Sequence, residues 1–155
     1  MNKKDKQLLL KDFQTRLFYG VKIKLGDYDY QVEGYDPRDS LPLIVSFLKD
    51  DTKYYVNIAI KDYCPYLRSM SSMTEKEIED LKTLCSIYIP TDSRIIGFEE
   101  YGIQVFTHHL TNNTYSFKLT NDVIDWLDKN MFDYRGLIEK GLAIEAPEKM
   151  YVFNY

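Results

Sequence analysis

The apolar positions of this chain change spacing twice, and each change marks a boundary. Leu9, Leu10, Phe13 and Leu17 recur three and four apart, the spacing of one helix face, while Lys6, Lys11, Gln14 and Arg16 fall on the other side. The pattern predicts a helix over residues 4–16, ended at Tyr19-Gly20, with Gly20 suited to a left-handed cap. From Val21 the period is two. Val21, Ile23 and Leu25 alternate with Lys22 and Lys24, and Tyr28, Tyr30 and Val32 alternate with Asp29, Gln31 and Glu33. Gly26-Asp27 lies between these runs, and glycine at the first central position is the signature of a type II′ hairpin turn. Residues 34–40 read as a loop punctuated by Pro37. Residues 41–48 read as a third strand, with Pro42 near its start, and residues 53–60 as a fourth, after the polar turn 49–52. Four short strands with tight turns predict an antiparallel meander, for which an SH3-like half-barrel is a natural way to bury one face.

The second change of period falls within residues 62–85. Pro65 lacks an N–H and holds Cys64 extended, so strand structure should stop there. Thr74 and Glu77 then form a Thr-x-x-Glu capping box, followed by apolar residues at helical spacing: Ile78, Leu81 and Leu84/Cys85. A helix is expected over residues 75–85. Beyond it, residues 86–89 suggest a short strand, broken by Pro90-Thr91-Asp92-Ser93, and Ile95-Ile96-Gly97 is ambiguous. Residues 101–109 and 115–119 form a second hairpin about Thr111-Asn112-Asn113-Thr114. Thr120 or Asn121 caps a helix over residues 122–130, and Asp133 caps a second short helix over 134–140, stopped by Gly141. Residues 142–145 are extended up to Pro147, and residues 150–155 suggest a terminal strand. The expected class is α+β: an N-terminal helix, a four-stranded antiparallel meander, then a helix, a β-hairpin and two short C-terminal helices. The boundary divides residues 1–66 from 67–155, as two lobes able to pack into one domain.

Composition adds little to this architecture but narrows the function. The 155 residues are 45% hydrophobic and 15% aromatic, with 14 Tyr, enough for a sizeable core and far from a disordered chain. Charge is uneven. Residues 1–24 carry seven Lys/Arg and two Asp, a net of +5, against −9 for the rest, which makes up the −4 of the whole chain. Lys3, Lys4, Lys6, Lys11 and Arg16 are therefore the candidate phosphate contacts, weighed against the plainer reading of a solvated helix face. The acidic remainder argues against broad nucleic-acid binding. No apolar run approaches the roughly 20 residues of a membrane span. Lys3, Lys4 and Lys6 precede only Leu8-Leu9-Leu10 before Lys11-Asp12, so no signal-peptide pattern is visible. The expected location is the cytoplasm, where Cys64 and Cys85 are reduced thiols by default; a disulfide between them stays open. Asn112-Asn113-Thr114 is a glycosylation sequon without meaning in that compartment.

The search for chemistry is mostly negative. His108 and His109 are adjacent, and neighbours on a strand point to opposite faces, so no metal site is expected. There is no Gly-x-Ser-x-Gly, P-loop or Gly-x-Gly-x-x-Gly, and no cofactor is expected. Cys64 and Cys85 read as structural, Asp50-Asp51 and Glu99-Glu100 as solvated turns. The Tyr-rich meander has two readings. The heavier is that most of Tyr28, Tyr30, Tyr35, Tyr54 and Tyr55 are β-formers on a small core. The lighter is that Tyr28, Tyr30, Tyr35 and Tyr54 present an aromatic face to a partner. Arg68 and Arg135 stand among acids and are expected to pair with a carboxylate, locking the joint to the C-terminal helices.

Two stretches carry a likeness. One is Pro65-Tyr66-Leu67-Arg68-Ser69-Met70-Ser71-Ser72-Met73-Thr74-Glu75. The other runs from Ile124-Asp125-Trp126-Leu127 through Asp133-Tyr134-Arg135-Gly136 to Glu145-Ala146-Pro147. Gln7-Leu8-Leu9-Leu10-Lys11-Asp12 and Tyr19-Gly20-Val21-Lys22 agree as well. Together they resemble small uncharacterised proteins that recur in phages and prophages of gut anaerobes, over nearly the whole chain. Those proteins often carry a second proline where Ser69 stands and a glycine where Lys149 stands. The resemblance implies a phage or prophage origin and a host cytoplasm; it brings no established activity and transfers no catalytic residue. The leading expectation is a non-catalytic binding or adaptor module for a protein partner. The rivals are a nucleic-acid-associated protein using the basic N-terminal helix, and a small enzyme or ligand-sequestering protein of unknown substrate.

Overall fold

The computed structural model describes residues 1–85, 94–99, 102–106 and 114–151. The chain opens with helix α1 (Lys3–Arg16), capped by the Asn2 side chain, which accepts from the Asp5 N–H at 2.9 Å. A short 3₁₀ turn (Leu17–Tyr19) follows, and Gly20 at φ +69° closes it in the left-handed region, as the sequence pattern predicts. The meander is then laid down in chain order: β1 (Lys22–Leu25), β2 (Tyr28–Tyr35), β3 (Leu43–Lys49) and β4 (Thr52–Ile58), each antiparallel to the one before. Gly26 has φ +59° and Asp27 does not share the left-handed region, the sign pattern of a II′ turn. The β3–β4 turn differs. Asp50 (φ 49°) and Asp51 (φ 60°) are both left-handed, which is the I′ pattern, carried by two residues that tolerate it better than most. A bulge between Val32 and Gly34 lets β2 run on to Tyr35, beyond the expected boundary at Gly34.

After β4 the chain makes a 3₁₀ turn (Ile60–Asp62), passes Pro65, and forms a two-residue strand β5 (Tyr66–Leu67). Helix α2 (Glu75–Leu84) begins at the expected capping box. Thr74 Oγ1 accepts from the Glu77 N–H at 3.3 Å, and the Thr74 N–H donates to Glu77 Oε2 at 2.8 Å. Strands β6 (Arg94–Glu99), β7 (Gly102–Phe106) and β8 (Thr114–Lys118) form a second antiparallel sheet. It contains the expected hairpin and gives the ambiguous Ile95-Ile96-Gly97 to a strand. Helix α3 (Asn121–Lys129) is capped by Thr120, and β9 (Ile144–Glu145) pairs parallel with β5. The readings at residues 86–93, at Glu100, at His108-His109, at Asn112-Asn113 and at residues 152–155 lie outside the described residues.

Among the described residues, one expected element is absent. Residues 134–140 form turns, not a second short C-terminal helix. Gly136 has φ +67°, which breaks the helical path in the middle of the segment. The Asp133 carboxylate takes over instead, accepting from the Leu137 and Ile138 N–H groups at 2.8 Å each.

Among the described residues, two apolar clusters hold the fold. The first packs Leu9 and Phe13 of α1 against Val21, Ile23, Val32, Leu43, Val45 and Ile58 of the first sheet and its approach. It also takes in Leu67, Met131, Leu137 and Ala143, so this core draws on both sides of the expected boundary at residue 66. The second joins Leu81 of α2 to Val123 and Leu127 of α3, with Leu119, Phe132 and Tyr134.

Candidate functional site

Side chains alternate across a strand, so one buried residue fixes the facing of its neighbours two away. Val45 is buried on β3 and faces Val32 on β2 and Val56 on β4. Phe47 is next on that face. It stands opposite Tyr54 of β4, and its ring stacks on the Tyr54 ring at 5.4 Å. On its other side Phe47 meets the edge of Tyr30 at 5.1 Å. Tyr30 faces Ile23 of β1, and Tyr28, two residues back, faces Leu25. Burial on β3 stops at Ser46, so from Phe47 outward the core gives way to solvent. The result is an aromatic strip, Tyr28–Tyr30–Phe47–Tyr54, on one face of one end of the meander. Tyr28 is 66% exposed and Tyr54 46%.

The sequence brought three of these residues forward and missed Phe47, the ring that joins them. The available signal was register: Phe47 lies two residues after Val45, on a strand between two tyrosine-bearing strands. The heavier sequence reading, in which the tyrosines pack a core, is corrected for Tyr28, Tyr54 and Tyr55. They lie past the last buried residues of their strands, and Tyr55 projects to the opposite face beside Lys53, whose Nζ sits 5.5 Å from its ring centre. Tyr35 does not join the strip. It lies beyond the bulge, opposite Leu43, with its ring 5.4 Å from that of Phe13.

The opposite face of the same sheet end mixes ion pairs with the exposed Leu48 and Tyr55. Lys24 pairs with Asp29 at 3.3 Å, and Asp29 also accepts from the Tyr66 hydroxyl at 2.8 Å. The Tyr66 and Lys24 hydrogen bonds outweigh the effect of partial burial and hold the Asp29 carboxyl below its ordinary value. Glu33 accepts from Ser46 at 2.6 Å and pairs with Lys53 at 2.8 Å.

The candidate phosphate contacts divide. Lys3, Lys4, Lys6 and Lys11 are exposed on α1. Arg16 is not available: it is wholly buried. Its Nε donates to Asp12 Oδ1 at 2.8 Å, and its Nη2 donates to the Phe132 carbonyl at 2.7 Å and lies 3.2 Å from Asp128 Oδ1. Arg135, expected to pair with a carboxylate, takes two: Asp12 at 3.1 Å and Asp128 at 2.8 Å. The hydroxyls of Tyr63 and Tyr134 donate to the remaining oxygens of Asp12 and Asp128 at 3.2 and 3.1 Å. Two cations and two anions thus neutralise one another inside the molecule, tying α1 to α3. Burial, and then the charge of Asp12, push the Tyr63 phenol well above its ordinary value. Such a closed and balanced network holds structure and leaves no group to react.

Arg68 also takes a carboxylate, but one on α2 and not on the C-terminal helices. It forks onto Glu77 at 2.6 and 2.9 Å, and its guanidinium lies 4.2 Å from the centre of the Phe132 ring. An open groove of about 860 Å³ runs past this pair, lined also by Glu145, Glu148, Lys149 and Tyr151. Its most buried cation is already engaged by Glu77. Burial raises the Cys64 and Cys85 thiols above their ordinary value, the opposite of an activated nucleophile. Both are free. Among the described residues no three His, Cys, Asp or Glu side chains gather as a metal site, and no helix is long and apolar enough to cross a membrane. Comparison with family models, with curated proteins and with solved structures finds no match.

Proposed function

We propose that this chain is a non-catalytic binding or adaptor module of phage or prophage origin that docks a protein partner on the Tyr28–Tyr30–Phe47–Tyr54 strip. The observation that carries the reading is the joining of two exposed tyrosines to a half-buried pair of rings on one sheet face. Tyrosine offers a large apolar body and a hydroxyl tip at low entropic cost, which is why it is enriched where proteins dock. We read the meander as an SH3-like half-barrel, a fold-level analogy that suits recognition without specifying a ligand.

The origin rests on the resemblance of the stretches around Pro65 and Trp126. The left-handed backbone at Lys149 (φ 64°) supports it, because the resembled proteins often carry glycine there, and glycine adopts that conformation freely. The host cytoplasm is the place of action that goes with such an origin. The test is affinity capture from a host lysate with the wild type and with a Tyr28→Ala/Tyr54→Ala variant in parallel. A protein held by the first and lost by the second supports the reading; equal capture by both contradicts it.

A further inference from the structure

The two edges of the meander are treated differently. On the β1 side, the Lys24 N–H donates to the Cys64 carbonyl at 2.9 Å, and Ile23 bridges to Pro65, so the chain itself covers that edge. On the other side β4 pairs only with β3 among the described strands. Natural sheets guard such edges with proline, bulges, short strands or charges. β4 has seven residues, an unbroken register against β3, no proline, and a single charge, at Lys53. Its middle residues, Tyr54 and Tyr55, are exposed.

From this we infer that β4 pairs antiparallel with β4 of a second copy of the chain, joining two meanders into one continuous sheet. The sequence of the strand suits itself. Full overlap of residues 52–58 places the two-fold axis at Tyr55, which then faces its own copy. Tyr54 faces Val56, Lys53 faces Asn57, and Thr52 faces Ile58. No like charges meet, the apolar members share the inner face, and facing side chains of this kind stabilise a pair of strands. A strand edge asks for another strand, and the isologous arrangement is the usual closed solution for identical chains. The inference goes beyond the proposed partner docking and does not rest on it.

The test is the mass in solution with a site-directed cross-link. The wild type should elute in light-scattering chromatography at about twice 18.4 kDa. Facing Cα atoms in an antiparallel pair lie about 4.5 to 5.5 Å apart, within the ~4.4–6.8 Å that a disulfide spans. Tyr55→Cys should therefore cross-link to a covalent dimer under mild oxidation, while the wild type, with Cys64 and Cys85 alone, should not. Tyr55→Lys sets two ammonium groups face to face and should halve the mass while keeping the wild-type circular dichroism. A wild type monomeric at every concentration overturns the inference. So does a dimer that Cys at position 55 fails to cross-link, which would use another surface. If Tyr55→Lys fails to fold, the mass and the cross-link decide between them. Loss of partner capture on Tyr28→Ala with the mass unchanged would bear on the docking face alone.

Discussion

Arg16 and Asp12 stand one turn apart on α1 with Nε and Oδ1 at 2.8 Å, and neither side chain meets solvent. An ion pair at this spacing on a helix surface is worth a few tenths of a kcal/mol. Here the pair is buried and extended by Asp128 and Arg135, so removing one member leaves an uncompensated charge in the interior.

Asp12→Ala is therefore expected to destabilise the fold by about 3 to 5 kcal/mol. Replacing the pair together, as Asp12→Leu with Arg16→Met, should cost less than Asp12→Ala alone, because no lone charge remains. Urea unfolding of the two variants against the wild type measures both. A double replacement more damaging than the single one would show that the network does more than balance charge.

The capping box at the start of α2 supports a smaller expectation. Thr74→Ala removes the acceptor for the Glu77 N–H and should lower stability by about 1 kcal/mol. Thr74→Ser should recover most of it. Thermal unfolding of the three proteins is the check.

Glu77 also sets an acid limit. Burial acts to raise its carboxyl, but the hydrogen bonds from Arg68 and Thr74 outweigh burial and hold it below its ordinary 4.5. A carboxyl depressed on folding adds stability above its unfolded value, and that stability is lost as pH falls through the folded value. The wild type should lose stability below pH 4.5, and Arg68→Gln should lose less over the same window.

At the alkaline end the sign reverses. Burial, backed by the charge of Asp12, keeps the Tyr63 phenol protonated well above its ordinary 10.0, and burial pushes Tyr151 up to about 12. A phenol raised on folding stabilises fully below its unfolded value, and the gain is lost as pH rises through the folded one. Part of the tyrosinate absorbance should therefore appear only with loss of the folded circular dichroism, as Tyr63 and Tyr151 are released from the interior.

The local signals in this chain were legible. The Thr74–Glu77 box, the Gly26-Asp27 turn and the Gly20 cap each depend on residues a few positions apart, and each formed as the spacing implies. Arg16 was misplaced because a helical wheel sees only α1. Its partner Asp128 lies 112 residues away, and burial of a charge depends on such a partner. Residues 134–140 look helical in composition, yet Gly136 is left-handed and Asp133 accepts from two successive N–H groups, so the segment turns where a helix was expected. The aromatic strip fell between these cases. Alternation placed Tyr28 and Tyr30 correctly on one face, but where the core ends along β3 depends on what covers the sheet, which periodicity does not contain. Tyr35 was drawn in by composition alone.

The docking face is most directly tested by quantitative capture from host lysate, with proteins identified by mass spectrometry on wild type, Tyr28→Ala/Tyr54→Ala and Lys3→Ala/Lys4→Ala. Interface hot spots of about 2 kcal/mol correspond to roughly a thirtyfold change in affinity. One protein should be held by the wild type and the lysine variant and lost from the tyrosine variant. Capture that survives loss of both tyrosines, or follows the lysines and disappears after nuclease treatment, would contradict it.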